Sequence, residues 1–217
     1  MLLVLALFGV AGDGGDRILR AREFKILNLV QIFSLHGCSR GGSQAHTTTM
    51  SRPYDETNLR ASIVQSEKAA EEGCMPFGAV LADASGTIVV EAHNQCVAAA
   101  KRGGSTHSDT TRHAEMELIR AIPGTIDRGA CTLYTSTEPC VMCAGAIYWS
   151  GVGRVVYGCS AKALEENLSG PGGFDIPIRE LYGLSGTRKI EIEGPVLERE
   201  CLQAHDRAGV WSMKLKD

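Results

Sequence analysis

Between Thr57 and Glu72 the apolar residues Leu59, Ile63, Val64 and Ala70 fall near one side of a 3.6-residue period, with charged residues elsewhere. This predicts a helix that Gly73 ends. The short apolar run Phe77-Gly-Ala-Val-Leu-Ala82 is followed by the turn residues Asp83-Ala-Ser-Gly86 and a second run, Thr87-Ile-Val-Val-Glu-Ala92. Two such runs about a tight turn predict a β-hairpin. Ala98 to Ser108 has loop composition. Helices are then predicted from Thr111 to Ile122, stopped by Pro123-Gly124, and from Pro139 to about Trp149. Strands are predicted at Cys131–Thr135, Arg154–Gly158 and the alternating Lys189–Glu193, before a terminal helix from Pro195 to about Arg207. Helices alternating with strands predict an α/β domain whose sheet is covered on both faces, and the opening hairpin makes that sheet mixed.

Residues 1–49 do not share this pattern. Met1–Val10 is almost wholly apolar and is followed by Ala-Gly-Asp-Gly-Gly-Asp16. The run is too short to span a bilayer. It has the length of a signal-peptide core, but no basic residue precedes it. Residues 18–35 mix Arg and Lys with Leu, Ile and Phe in the manner of an amphipathic helix, and residues 36–49 are small and polar. A targeting peptide, a membrane-surface tether and an upstream extension of the gene model are the three readings. The incomplete targeting grammar favours the last, with the working protein starting at Met50. The domain division is therefore an extension at 1–49 and a folded domain at 50–217.

At 217 residues, 44% apolar and 22% charged, the chain has the composition of a soluble globular protein and not of a disordered or fibrous one. The net charge is -3, and from Met50 onward 17 basic residues face 22 acidic ones. That balance argues against extensive nucleic-acid binding. Of eight cysteines, Cys140 and Cys143 form a Cys-x-x-Cys pair and six stand alone. No spacing points to a disulfide framework, so a reducing compartment and a cytoplasmic location are expected, unless residues 1–49 direct the chain to an organelle or to secretion.

Chemistry concentrates in His113-Ala-Glu115 and Pro139-Cys-Val-Met-Cys143. One imidazole and two thiolates leave the fourth tetrahedral position of a zinc ion open, as a catalytic site requires. Cys140 and Cys143 share a face if the segment is helical, and Pro139 suits the first helical turn. The start of a helix favours thiolate over thiol. Glu115, two residues from His113, can act as a proton carrier without being a ligand. Either motif alone has an ordinary explanation, a redox or core cysteine pair and a chance surface triplet, but His-x-Glu followed by Pro-Cys-x-x-Cys is the signature of the zinc deaminases. His107 reads as a solvated loop residue, and His36, His46, His93 and His205, like the six single cysteines, read as structural.

From about Met75 to Cys159 the chain resembles the cytidine deaminase-like superfamily, and most nearly the branch of guanine deaminases and tRNA adenosine deaminases. The likeness rests on Pro76-Phe-Gly-Ala-Val80, Asn94, Asp109–Glu115, Leu133–Ser136, Glu138–Ile147 and Val155–Gly158. It implies a three-layer α/β/α fold with a five-stranded mixed sheet, one zinc per chain and a homodimer. It implies that His113, Cys140 and Cys143 hold the zinc and that Glu115 shuttles protons. Asn94 would hydrogen-bond the base, and Phe77 with the backbone of Gly78 and Ala79 would line its pocket. Trp149 and Asp175 are further expected contacts, from Tyr148-Trp149 and Gly173-Phe-Asp175, which look like the guanine deaminase side. Two departures stand out. Guanine deaminases carry a second acid after Gly-Phe-Asp where this chain has Ile176, and the usually small residue before the histidine is Arg112.

The expectation is a zinc-dependent hydrolytic deaminase of a free nucleobase or nucleoside, purine-like, with guanine not the best substrate. The alternatives are a tRNA adenosine deaminase, which the net charge opposes, a non-catalytic zinc-binding partner subunit, and a dithiol redox protein. The last two give Glu115 no task.

Overall fold

The structure is a computed structural model describing residues 52–96, 109–167 and 173–209. The expectations for residues 1–49 and for the whole 98–108 loop, with His107, lie outside the described residues. Helix α1 spans Asp55–Glu71, and the hairpin is β1 (Gly78–Ala82) and β2 (Ile88–His93). Then come α2 (Ala114–Ala121), β3 (Thr132–Thr137), α3 (Val141–Ser150), β4 (Arg154–Cys159) and α4 (Ala161–Asn167). The chain closes with α5 (Ile178–Gly183), β5 (Glu191–Glu193) and α6 (Glu198–Arg207).

The sheet runs β2-β1-β3-β4-β5. β1 is antiparallel to β2 and β3, whereas β3–β4 and β4–β5 are parallel, so the sheet is five-stranded and mixed as expected. β1, β3 and β4 are buried along their whole length. That is why β1 reads as a continuous apolar run and not as an alternating one, whereas β3 also buries the hydroxyls of Thr132, Thr135, Ser136 and Thr137. Ala79, Leu81, Leu133, Val155 and Tyr157 pack with residues of α2, α3 and α5 on one face. Val80, Ala82, Tyr134 and Val156 pack with Leu59 of α1 and with Val196 ahead of α6 on the other. Gly78 is required by this second layer: a Cβ there would stand 2.2 Å from the Ser62 carbonyl oxygen of α1.

The sheet also buries an ion cluster that no periodicity announces. Arg154, 2% exposed, donates to both carboxylate oxygens of Asp55 at 2.7 and 2.8 Å and to Glu191 at 3.0 Å. It also donates to Glu193, and the Tyr134 hydroxyl donates to Asp55 at 2.7 Å. Burial works against ionising Asp55, but Arg154 and Tyr134 outweigh it and hold the carboxyl below its usual range. The cluster joins α1 to the parallel half of the sheet, next to the strand that leads into the cysteine motif.

Several element boundaries differ from expectation. α2 starts at Ala114, not Thr111, because the Asp109 carboxylate accepts from the Thr111 N–H and hydroxyl at 2.9 and 2.6 Å and holds residues 109–112 in a turn. α3 starts at Val141, with Cys140 extended at the N-cap (φ -65°, ψ 168°), so Pro139 precedes the helix and does not form its first turn. α6 starts at Glu198, because Leu197 takes a left-handed conformation (φ 53°). α4 and α5 were not expected at all.

Removing one partner of a buried ion cluster strands the others. Arg154→Met is expected to destabilise the folded domain by about 3–5 kcal/mol. Urea unfolding of metal-loaded wild type and variant, followed by far-UV circular dichroism, checks this. Equal midpoints would show that the cluster contributes nothing.

Candidate active site

α2 and α3 begin side by side where β3 ends. The residues that open both helices are chemically reactive. His113 is the N-cap of α2 (φ -67°, ψ 157°) and Glu115 its second residue. Cys140 is the N-cap of α3 and Cys143 its third residue. Both helix starts present unpaired N–H groups and positive dipole ends to the same spot, which favours anions there.

The ligand atoms of His113, Cys140 and Cys143 all lie within 4.8 Å of one another. His113 Nδ1 stands 3.6 Å from Cys140 Sγ and 3.5 Å from Cys143 Sγ. A tetrahedral zinc with ordinary Zn–N and Zn–S bond lengths separates a nitrogen and a sulfur ligand by about 3.6 Å, and both N···S separations here match that. The ligand types also fit, and with three protein ligands a fourth position stays open.

The three side chains and Glu115 are strongly coupled electrostatically. Cys140 is drawn down to about 4, first by hydrogen bonding with the Cys143 thiol and then by His113, against the cost of burial. Cys143 is pushed strongly upward by the same partnership and by burial. Hydrogen bonding between the two sulfurs thus shifts them in opposite directions. His113 is raised through its contact with Cys140. Glu115, 6% exposed, is pushed up mainly by burial, and its Oε1 accepts from the Thr135 hydroxyl at 3.3 Å.

A cavity of about 420 Å³ opens over this group. It lies beyond the carboxyl end of β3, the usual place for a ligand in an open α/β sheet. Of the residues expected at the site, Phe77, Asn94, His113, Glu115, Cys140 and Asp175 line the cavity, and Cys143 is buried in the ligand group. The Asn94 oxygen accepts from the Cys96 N–H at 3.0 Å, which fixes the carboxamide. Gly78 and Ala79 are buried at the start of β1 and form no part of the wall. Trp149 is 84% exposed and lies outside the wall, near the C-terminal end of α3, edge-on to Tyr148. Arg112 turns away from the cavity, donating to Glu117 at 2.6 and 3.2 Å and to Gln95 at 2.8 Å, so the departure before His113 leaves the cavity unobstructed.

The wall also contains residues that sequence reasoning did not assign. Glu138, Lys162, Leu164 and Glu165 form one part, and Phe174 lies beside Asp175 in another, next to Ile176, the departure that the sequence singled out. Cys96, expected to be structural, lines the cavity too. Glu138 was visible inside the Glu-Pro-Cys motif, but Lys162 to Glu165 belong to a helix too short to show a period.

The sequence profile described as the cytidine and deoxycytidylate deaminase zinc-binding region matches residues 53–159. A probable cytosine deaminase of Schizosaccharomyces pombe is 36% identical over 162 residues, covering 72% of this chain and 92% of that protein. The chain belongs to this deaminase family. Among its other relatives, a tRNA-specific adenosine deaminase of Haemophilus influenzae is 33% identical over 69% of this chain and 80% of its own length. A guanine deaminase of Bacillus subtilis is 36% identical over 55% and 70%. The solved guanine deaminase of Nitrosomonas europaea superposes with a TM-score of 0.56 at 21% identity, covering 74% of this chain and 86% of that one, a likeness of fold. The deaminase fold expected from the sequence is therefore present.

His113→Ala and Cys143→Ala each remove one of the three candidate ligands and are expected to lower bound zinc at least tenfold. Metal analysis of the purified variants beside wild type checks this, and unchanged zinc in both would remove the site.

Proposed function

We propose that the protein binds one zinc per chain through His113, Cys140 and Cys143, and hydrolytically deaminates an uncharged free nucleobase or nucleoside, a purine-like one first. The observation that carries this reading is Glu115, a buried carboxyl beside the three ligands and on the cavity wall. A structural metal site has no use for it.

Zinc held by these residues supplies Lewis acidity that lets water act as a nucleophile near neutral pH. Glu115 takes one proton from the attacking water and passes it to the ring nitrogen beside the amino-bearing carbon, then takes the hydroxyl proton of the adduct and passes it to the departing amine. The carbon–nitrogen bond breaks, ammonia leaves and a carbonyl remains. Burial suits Glu115 to this work, because a carboxyl whose affinity for protons is raised both accepts and returns one readily. Thr135 keeps one oxygen oriented. Asn94, its oxygen engaged by the Cys96 backbone, offers its amino group to an acceptor on the base. Phe77, Leu164, Phe174 and Ile176 give the ring apolar surface.

Charge separates the substrate classes. Among the described lining residues Glu115, Glu138, Glu165 and Asp175 face Lys162 and His113. A phosphate at this mouth meets more acids than bases, which disfavours nucleotides and tRNA relative to neutral bases and nucleosides. Ile176 lines the cavity beside Asp175, and its side chain accepts no hydrogen bond. The outer side of α3 and α5 exposes Trp149 and Leu184 at 84% and 79%. A second copy of the chain covers this face in our reading, and a solution mass of one chain would contradict that.

Ammonia release from zinc-loaded protein is to be followed with guanine, adenine, cytosine, their nucleosides and tRNA. A base or nucleoside is expected to be turned over best, with guanine below the leading substrate. Ile176→Asp is expected to raise kcat/KM for guanine relative to that substrate by about tenfold, the worth of one hydrogen bond to a charged group. Preferred turnover of tRNA, or of guanine by wild type, would overturn the assignment.

A further inference from the structure

Two parts of the cavity wall come from short segments with little core of their own. One is the first turn of α4, carrying Lys162, Leu164 and Glu165. The other is the stretch from Gly173 to Ile176 that runs into α5. The first N–H of a helix has no partner within that helix. Here the first N–H groups of both helices go to one side chain. Ala161 N–H donates to Glu138 Oε2 at 3.1 Å, and Ile178 N–H donates to Glu138 Oε1 at 2.9 Å. Glu138 is itself tied to the sheet, its N–H donating to the Cys159 carbonyl at 2.8 Å, and it stands two residues before Cys140. The bonds are of the stronger, charge-assisted kind. The start of α4 has a second tie, because Glu198 accepts from the Ser160 N–H at 3.1 Å and from its hydroxyl at 2.8 Å. α5 is anchored further along, by the buried Ile178 side chain and by the Tyr182 hydroxyl donating to the Ala144 carbonyl at 2.9 Å. Glu138 thus governs where the Gly173–Ile176 wall joins that anchored helix, and how far it stands from α4.

We propose that Glu138 is a positioning residue that brackets two walls of the cavity and sets their distance from the metal-bearing turn, and so decides how well a ring system fits. Both of its oxygens are engaged by backbone, so it acts through the walls and not on the reacting atoms. The proposal rests on the deaminase reading above for its effect on turnover, but not for its structural content.

Glu138→Gln keeps the shape and one acceptor, and turns an NH2 group toward the other N–H, so one of the two ties is lost. In the zinc-loaded full chain, zinc content is expected to stay at the wild-type level. KM for the leading substrate of the panel is expected to rise roughly tenfold while kcat stays close to wild type, the mark of lost uniform binding. Amide hydrogen exchange is expected to speed up at Ala161 or Ile178. Ala161→Pro deletes one donor at a helix position where proline is tolerated, leaving Glu138 intact. It is expected to raise KM less and to speed exchange in the first turn of α4. If Glu138→Gln does not fold, this variant decides by the same two readouts. A wild type that deaminates nothing refutes the function reading alone, and exchange then still tests the bracket. Unchanged KM in an active background, unchanged exchange, or loss of zinc in Glu138→Gln would each overturn the proposal.

Discussion

Two cysteine sulfurs are each held at a tetrahedral edge length from one imidazole nitrogen, and a buried carboxyl stands beside them. Two thiolates and a carboxylate cannot be gathered in a poorly hydrated place without a cation to offset them. Hydrogen bonding between the two sulfurs draws Cys140 down and pushes Cys143 up. Much of the architecture serves this group. β3 is buried along its length and delivers Glu138, Pro139 and Cys140 at its carboxyl end. α2 and α3 begin there, and their N-terminal dipoles favour the charges that the chemistry needs.

The groups around that centre are rigid on one side and divided on the other. On the sheet side, Arg154, Asp55, Tyr134 and Glu193 lock α1 to the central strands, and Gly78 lets α1 approach closely. On the cavity side, the walls are the first turn of α4 and a stretch ahead of α5, placed by hydrogen bonds to Glu138 and Glu198 and by the buried Leu164 and Ile178. This division suits a family in which cytosine, guanine and tRNA adenosine deaminases occur among the relatives. In the proposed reading the metal chemistry falls to residues at the ends of buried elements, and substrate discrimination to the wall segments.

The residues that the structure gathers at the centre were legible because they stand in local spacing. His-x-Glu and Pro-Cys-x-x-Cys each lie within five residues, and β1 announces itself as an apolar run because both of its faces are covered. The misplaced boundaries share one cause, side chains and backbone conformations competing with the helix. Asp109 holds Thr111 in a turn, Cys140 takes the N-cap, and Leu197 turns left-handed. Long-range facts were not legible. No pattern in the sequence tells that Arg154 is buried against Asp55, 99 positions away. Nor does it tell that Glu138 meets Ile178, that Trp149 points off the cavity, or that Gly78 is a glycine because α1 presses on it. α4 and α5 were missed because six or seven residues do not establish a period.

The central claim is that Glu115 moves protons at a metal held by other residues. Glu115→Gln preserves volume and every ligand while removing the proton carrier, so zinc content and ammonia release measured on the same preparation test the claim most directly. Full zinc with turnover lowered by roughly 10²–10⁴-fold is the expected result. Full zinc with near-wild-type ammonia release would contradict it.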